Sequence, residues 1–143
     1  MRLIPSYILM LLAIPAMALC ACGGTKEKTG ASGQVIEITD GMIRHGGADT
    51  IRFGHLNEGE IALRSITLAN KTAKPTVIVS HERSCGCVNV EYERRPIMPE
   101  GEAKVDFTFD SRGEYGWQMK IITLRLGAAG VPLKIYVEAE VEW

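Results

Sequence analysis

The chain has 143 residues, with 16 basic and 17 acidic side chains and a formal net charge of −1. This length predicts a single domain with room for a short additional segment. The near balance of charge excludes the strongly basic surface typical of nucleic-acid-binding proteins, so we expect no nucleic-acid partner.

Residues 1–21 are predicted to be a lipoprotein signal peptide. Arg2 gives a positive start, and residues 3–19 run almost without a polar side chain. That run is shorter than the roughly 20 apolar residues of a spanning helix, and it ends in small residues. The segment is therefore interpreted as a secretory signal rather than as a transmembrane helix.

The end of this segment, Leu19-Cys20-Ala21-Cys22, resembles the bacterial lipobox, in which a cysteine is lipidated and becomes the mature N-terminus. Cys22 fits best, because Leu19 stands three positions before it and the small Ala21 directly before it. Cys20 is an alternative, and an ordinary cleaved signal with two incidental cysteines is another. The resemblance implies a covalent lipid at Cys22, with acyl chains such as palmitate, that anchors the protein to a membrane without spanning it.

Residues 22–33 are predicted to be the lipidated cysteine and a flexible linker, since GGTKEKTGASG is rich in Gly, Ser, Thr and Lys. No aspartate follows Cys22, so the usual signal for inner-membrane retention is missing. The run of acidic residues that would favour export to the cell surface is missing as well. The expected location is the cell envelope, at the outer membrane facing the periplasm. Surface exposure stays open.

Residues 34–143 are predicted to form one all-β domain. Residues 104–110 place Val105, Phe107 and Phe109 on one face, and residues 88–93 alternate in the same way. The apolar row of residues 131–143 is predicted to end at Trp143, while residues 117–126 are more apolar and are predicted to lie centrally. Alternation with Gly, Pro and Asn turns between the runs favours an immunoglobulin-like antiparallel β-sandwich of about seven to eight strands.

Catalytic motifs are sparse along the chain. His45, His55 and His81 stand in different segments without metal-binding spacing, and no serine lies in a G-x-S-x-G motif. Cys85 and Cys87 are the remaining candidate nucleophiles. We therefore predict no enzyme, with thiol–disulfide exchange as the one activity to consider.

The stretch Ser84-Cys85-Gly86-Cys87 lies where two predicted strands meet. In an exported protein the two thiols have only each other as partners once Cys22 is acylated. In an extended strand their Cα atoms would be about 6.5–7 Å apart, so closing a disulfide requires a turn, for which Gly86 with a positive φ is suited. The leading interpretation is structural, either as a small disulfide or as packed thiols.

Two chemical roles for this pair remain open. In a redox role, Arg83 or a protonated His81 would lower a thiol pKa and favour exchange. In a metal role, the two thiolates suit Cu(I), with His81 as a third ligand. Zinc would require four ligands, which the sequence does not visibly supply.

Several short motifs together resemble the DUF1573 family of bacterial exported proteins. The matching residues, spread over residues 50–143, are Phe53-Gly54, Gly59-Glu60, Asn70, Ser84-Cys85-Gly86-Cys87, Pro99, Gly101-Glu102 and Gly116. Val88 departs from the threonine usual after the second cysteine. The resemblance implies an immunoglobulin-like sandwich akin to the ASPM–SPD-2–Hydin and major-sperm-protein domains, and it implies no reaction.

The sequence thus predicts a non-enzymatic, lipid-anchored binding or scaffold module of the cell envelope, without a cofactor. Its partner is expected to be another envelope protein, bound by sheet-edge pairing or by a face contact. The alternative is a thiol-redox or Cu(I)-binding protein that acts through Cys85 and Cys87.

Overall fold

A computed structural model describes residues 33–143 of the chain. The predicted signal peptide, Cys22 with its alternative Cys20, and the linker before Gly33 lie outside the described residues. None of the helices in residues 33–143 has the length and apolar character needed to cross a membrane.

The described residues form eight strands and one short helix. In chain order they are β1 (Gln34–Ile38), α1 (Asp40–His45), β2 (Gly47–Asn57), β3 (Ile61–Asn70), β4 (Ile78–Arg83), β5 (Val88–Tyr92), β6 (Glu102–Asp110), β7 (Gly116–Leu126) and β8 (Val131–Glu142). The all-β class and the number of strands are as predicted.

The strands form two four-stranded sheets. The first sheet has the order β1-β3-β6-β5, and the second sheet has the order β2-β8-β7-β4. The prediction of a wholly antiparallel sandwich is wrong for two pairs, because β1 runs parallel to β3 and β2 runs parallel to β8. Residue alternation reports which face of a strand is buried but not the direction of its neighbour, so the sequence pattern did not distinguish these cases.

The core lies between the two sheets. Val105, Phe107 and Phe109 of β6 are fully buried, as the alternation predicts. Phe53 of β2 packs on Phe109 with ring centroids 5.8 Å apart, so this aromatic pair joins the two sheets. Strand β7 lies between β8 and β4, which confirms its predicted central position.

Trp143 is not part of the core. It is 92% exposed, because β8 ends at Glu142 and the chain leaves the sandwich there. Its ring stacks instead on Tyr115, with centroids 4.2 Å apart. The prediction that the buried row of β8 extends to Trp143 is therefore wrong.

Helix α1 was not predicted from the sequence. It begins after Thr39, whose hydroxyl accepts a hydrogen bond from the Met42 N–H at 3.3 Å, and it ends at Gly46, whose φ is 81°. Thr39 is an N-cap of ordinary type, and glycine tolerates the left-handed backbone after the last turn. With six residues, the helix is too short to show a 3.6-residue period.

Candidate functional site

Residues 84–87 carry the chain from the second sheet to the first. Ser84 still pairs with β7, since its N–H donates to the Ile121 carbonyl and its hydroxyl accepts from the Ile121 N–H, both at 2.9 Å. Cys87 already belongs to the first sheet, because its carbonyl accepts from the Asp110 N–H at 2.8 Å. The two cysteines therefore lie in the short connection between the edge strands β4 and β5.

Cys85 and Cys87 are joined by a disulfide in this structure. Their Cα atoms are 5.3 Å apart, which is within the ordinary range of about 4.4–6.8 Å. The chain turns at Gly86 and Cys87 and so shortens the separation expected for an extended strand. The expected positive φ at Gly86 is wrong, because Gly86 is not among the glycines with positive φ.

The loop that holds the disulfide is open on the side of Gly86. Both cysteines are half-buried and pack against the rim of the core. Gly86 is exposed, and no atom lies within 4 Å of the position that a Cβ would take there. The open side of the loop thus leaves room for another molecule to approach the bridge.

Arg83 and His81 are both engaged elsewhere. The Arg83 guanidinium donates to the Val88 carbonyl at 3.2 Å and so spans the loop that holds the disulfide. The His81 Nδ1 lies 3.2 Å from the Tyr92 hydroxyl, in an edge-to-face ring pair that connects β4 to β5. Both side chains therefore tie together the two edge strands on either side of the crossover.

The three-ligand metal site suggested by the sequence is not assembled. Among residues 33–143, no group of three or more His, Cys, Asp or Glu side chains is arranged to hold a metal ion. The disulfide occupies both sulfurs, and His81 contacts Tyr92 instead. His81 is accordingly not placed as a third ligand beside Cys85 and Cys87.

A second feature lies on the outer face of the second sheet, and the sequence reasoning missed it. Trp117 and Met119 of β7 are 60% and 46% exposed, although both are large and apolar. The stacked Tyr115 and Trp143 lie at the end of the same strand pair, β7 and β8. We refer to Tyr115, Trp117, Met119 and Trp143 as the aromatic surface.

A signal for this surface was present in the sequence. Trp117 and Met119 fall in the same alternating row as Thr123 and Arg125, whereas Ile122 and Leu124 fall in the other row. A row that ends in polar residues marks the solvent face of a strand. Its apolar beginning was therefore a sign of an exposed patch rather than of a central core position.

Charged side chains border the aromatic surface. Arg52 pairs with Glu138 at 3.1 Å, and the His55 Nδ1 lies 2.9 Å from a Glu142 carboxylate oxygen. Glu140 is the cross-strand neighbour of Trp117 and has no hydrogen-bond or ion-pair partner within residues 33–143. A shallow pocket of about 140 Å³ lies between Trp117 and Glu140. An aromatic ring beside a free carboxylate is suited to bind a cationic group.

Sequence comparison assigns the family. The family model described as "Protein of unknown function (DUF1573)" matches residues 46–141, which include β2 to β7 in full and β8 as far as Val141. The chain belongs to the DUF1573 family. No curated protein matches the sequence.

Solved structures similar to this DUF1573 chain agree in fold. A protein of unknown function from Porphyromonas gingivalis W83 aligns with a TM-score of 0.57 at 20% identity, over 64% of this chain and 43% of that one. The Vibrio cholerae VesB protease aligns with a TM-score of 0.54 at 14% identity, over 64% of this chain and 30% of that one. This chain therefore spans less than half the length of either neighbour. At these identities the similarity shows a shared β fold and carries no activity across.

Proposed function

We propose that this protein is a non-enzymatic, lipid-anchored binding module of the bacterial cell envelope. The observation that carries the proposal is the aromatic surface on the second sheet, where Trp117 is 60% exposed. Folded proteins rarely leave a contiguous set of large apolar side chains in water without a binding role. Strand β7, which is paired with β8, supplies a rigid base for Trp117 and Met119, and Tyr115 and Trp143 lie just beyond the end of this strand pair.

The composition of this surface indicates the type of partner. Tryptophan, tyrosine and methionine are enriched at the centres of protein interfaces, where they contribute much of the binding energy. Glu140 supplies a free carboxylate beside Trp117, because the neighbouring Glu138 and Glu142 are already paired. The partner we propose is an envelope protein that presents an arginine or lysine side chain to Trp117 and Glu140.

We also propose that the sandwich is immunoglobulin-like. Support comes from the order β1-β3-β6-β5, which corresponds to the A-B-E-D order of that fold. The order β4-β7-β8 likewise corresponds to C-F-G, with β2 added beside β8. In this correspondence the aromatic surface lies on the C-F-G sheet, and the disulfide lies in the C–D connection.

The proposed anchor and location rest on the N-terminal sequence. A lipid at Cys22 and a linker of residues 23–33 would tether the domain to the outer membrane on the periplasmic side. At about 5–6 Å × √n, such a linker holds the domain roughly 15–20 Å from the lipid. That distance leaves the aromatic surface free to meet a partner in the periplasm.

Photo-crosslinking in intact cells tests the binding proposal. A benzophenone amino acid replaces Met119 in the aromatic surface, and a control replaces Val35, which is 56% exposed in β1 of the first sheet. We expect one discrete adduct from position 119 and none from position 35. Trp117→Ala and Glu140→Gln should each reduce its yield. Adducts of equal yield from both positions, or none from position 119, would contradict the proposal.

Thiol exchange remains the second candidate, and the open side of the disulfide at Gly86 favours it. A thiolate of a partner dithiol would attack one sulfur, form a mixed disulfide and release the other cysteine as a thiolate. The partner's second thiol would then complete the reaction, so that the partner is oxidised while Cys85 and Cys87 are reduced. Cu(I) would bind only to the reduced pair.

Alkylation with mass spectrometry separates the two candidates. The protein is trapped in intact cells with a thiol-blocking reagent, and the masses of peptides holding Cys85 and Cys87 are compared with and without prior reduction. The binding module predicts a fully paired disulfide under all growth conditions. A substantial reduced fraction, a mixed disulfide with another protein, or copper retained by the reduced pair would favour the chemical role.

A further inference from the structure

At the opposite end of β4 from the disulfide, the structure contains a pocket of about 320 Å³. Helix α1 forms one wall, the connection from β3 to β4 forms another, and the turn from β7 to β8 closes it with Gly127 and Ala128. This volume lies at the lower end of the range of ligand pockets, which is about 300–1,000 Å³. Apolar surface from Ile43, Pro75 and Ala128 contributes to the lining.

Thr76 supplies a polar group at the wall of this pocket that has no hydrogen-bond partner among residues 33–143. Its residue is 5% exposed, and its hydroxyl is the one buried side-chain oxygen or nitrogen without a hydrogen bond among the described residues. The backbone of Thr76 is fully paired, since it exchanges hydrogen bonds of 3.0 and 2.6 Å with Ile97. A buried hydroxyl without a partner is unfavourable, because no hydrogen bond offsets its loss of hydration, so its presence requires an explanation.

Thr76 lies in the wall of the pocket, beside Gly127. A Cβ built on Gly127 would lie 3.7 Å from this oxygen, and both residues line the pocket. The oxygen is covered in the unliganded protein, and glycine at position 127 adds no side chain to that cover. A molecule that enters between α1 and the β7–β8 turn would therefore accept a hydrogen bond from the hydroxyl after a shift of this turn.

The rim of the pocket carries a net positive charge. Arg44 of α1 and Lys74 of the β3–β4 connection are exposed, and neither forms an ion pair with any residue between 33 and 143. Asp40 also lines the pocket, so two cations and one carboxylate leave a charge of +1. Cations without a partner beside an uncommitted hydroxyl favour an anionic ligand with oxygen atoms.

The walls of this pocket are held in place from within the protein. The Thr72 hydroxyl donates to the Asn70 side-chain oxygen at 2.8 Å, and the Asn70 side-chain nitrogen donates to the Lys74 carbonyl at 2.9 Å. Asn70 is fully buried, so this network fixes the connection that bears Lys74 and Thr76. A pre-formed wall lowers the ordering cost of binding.

We propose that this pocket binds a small organic acid, whose carboxylate accepts a hydrogen bond from the Thr76 hydroxyl and is attracted by Arg44 and Lys74. Its apolar body packs on Ile43, Pro75 and Ala128. The site is separate from both the disulfide and the aromatic surface, so the proposal stands independently of the proposed function.

Methyl NMR on the full chain, with ¹³C-labelled threonine and alanine methyl groups, tests the proposal. The probes are 3-phenylpropionate, the matched cation 3-phenylpropylamine, and inorganic phosphate. We expect 3-phenylpropionate to shift the methyl signals of Thr76 and Ala128 saturably and the amine to leave them unchanged. If 3-phenylpropionate causes no saturable shift, the pocket holds only water and the proposal is overturned. Equal binding of the amine would also overturn it. Binding of phosphate without 3-phenylpropionate would contradict the assignment to an organic acid.

Variants give the test a second readout. Thr76→Val keeps the shape of the side chain and removes only a hydroxyl without a partner in residues 33–143, so the melting temperature should stay unchanged or rise. Affinity for 3-phenylpropionate, followed at Ala128, should fall about tenfold or more, because a hydrogen bond to a charged group is lost. The double variant Arg44→Gln/Lys74→Gln should weaken binding and reduce its salt dependence. Lys134→Gln on the outer face of β8, where the lysine forms no ion pair with the described residues, serves as the single-charge control. Unchanged affinity in a folded Thr76→Val protein would refute the assigned hydrogen bond.

Discussion

Ser84 and Cys87 are three residues apart, yet their backbones pair with strands of different sheets, Ser84 with β7 and Cys87 beside the end of β6. The disulfide of Cys85 and Cys87 closes within this crossover. The Arg83 guanidinium donates a hydrogen bond to the Val88 carbonyl and so connects the residues on either side of the disulfide. The pair thus constrains one short step between sheets rather than two distant parts of the chain.

Because the ring is small, removal of the disulfide should cost little stability. The loop-closure model gives less than about 2 kcal/mol for a ring of this size. We expect Cys85→Ser/Cys87→Ser protein to fold and to show that loss in urea unfolding. Wild-type protein measured with reductant is the control and should match the variant. A variant that fails to fold would contradict a purely local role for the bridge.

Phe107 should contribute strongly to stability, because its ring is fully buried between the sheets. Phe107→Ala is expected to lower the free energy of unfolding by about 3–5 kcal/mol, measured by urea denaturation. Thr108→Ala, on the outer face of the same strand, is the control and should stay within about 0.5 kcal/mol of wild type. A near-neutral Phe107→Ala would contradict the assigned inward face of β6.

Asn70 is one of the motif residues that carry the family resemblance, and its hydrogen bonds give it a stabilising role. Its buried side-chain amide donates to the carbonyls of Lys74 and Ile97 and accepts from the N–H and hydroxyl of Thr72. Asn70→Ala leaves these groups unpaired and should reduce the free energy of unfolding by about 2–4 kcal/mol. Exposed Asn89→Ala is the control. If thermal unfolding shows equal and small losses of stability for Asn70→Ala and Asn89→Ala, the amide does not have this role.

The carboxyl group of Asp106 provides a test by pH. A hydrogen bond from the Ser65 hydroxyl, with a further one from Lys104, lowers the pKa of Asp106 below its ordinary value. Because this pKa is lower in the folded than in the unfolded state, the ionised carboxylate stabilises the fold at pH values above its unfolded pKa of about 3.9. This contribution is lost as the pH falls through the folded-state pKa.

Ser65→Ala should therefore raise the pKa of Asp106, as measured by ¹³C NMR of the side-chain carboxyl group. The loss of unfolding free energy between about pH 5 and pH 2 should become smaller than in wild type. Ser80→Ala, an exposed residue of β4, should change neither quantity. An unchanged titration of Asp106 in Ser65→Ala protein would show that the hydroxyl is not the main cause of the shift.

The proposed anchor is tested at the two N-terminal cysteines. Cys22→Ser should leave the protein without its lipid, so that it no longer partitions into the detergent phase of a phase-separation assay. Cys20→Ser should still partition there, because Cys22 is retained. Detergent partition of the Cys22→Ser protein would contradict the proposed site of lipidation.

Period-two alternation was sufficient to predict the class and the buried faces of the strands. Val105, Phe107 and Phe109 are buried together because each strand has one face on the core. The parallel pairing of β1 with β3 and of β2 with β8 was not predictable, since alternation is the same for both strand directions. Trp143 was placed wrongly because the pattern does not show where a strand leaves the sheet.

The candidate sites were predictable only in part. The position of Cys85 and Cys87 between two strands followed from the sequence, but the crossover depends on which sheet each strand joins. The pocket at Thr76 unites segments that are distant along the chain, and Thr76 is an ordinary residue of the β3–β4 connection until Gly127 is brought beside it. Such sites arise from tertiary packing, which residue spacing does not encode.

The most direct test of the account combines both candidate features in one crosslinking measurement. The benzophenone at position 119 is introduced into wild-type, Trp117→Ala and Cys85→Ser/Cys87→Ser backgrounds, and the yield of the adduct is measured in intact cells. A binding module that acts through the aromatic surface predicts an unchanged yield without the disulfide and a strongly reduced yield without the Trp117 ring. Loss of the adduct in the double cysteine variant, with full retention in Trp117→Ala, would contradict the account and transfer the function to the cysteine pair.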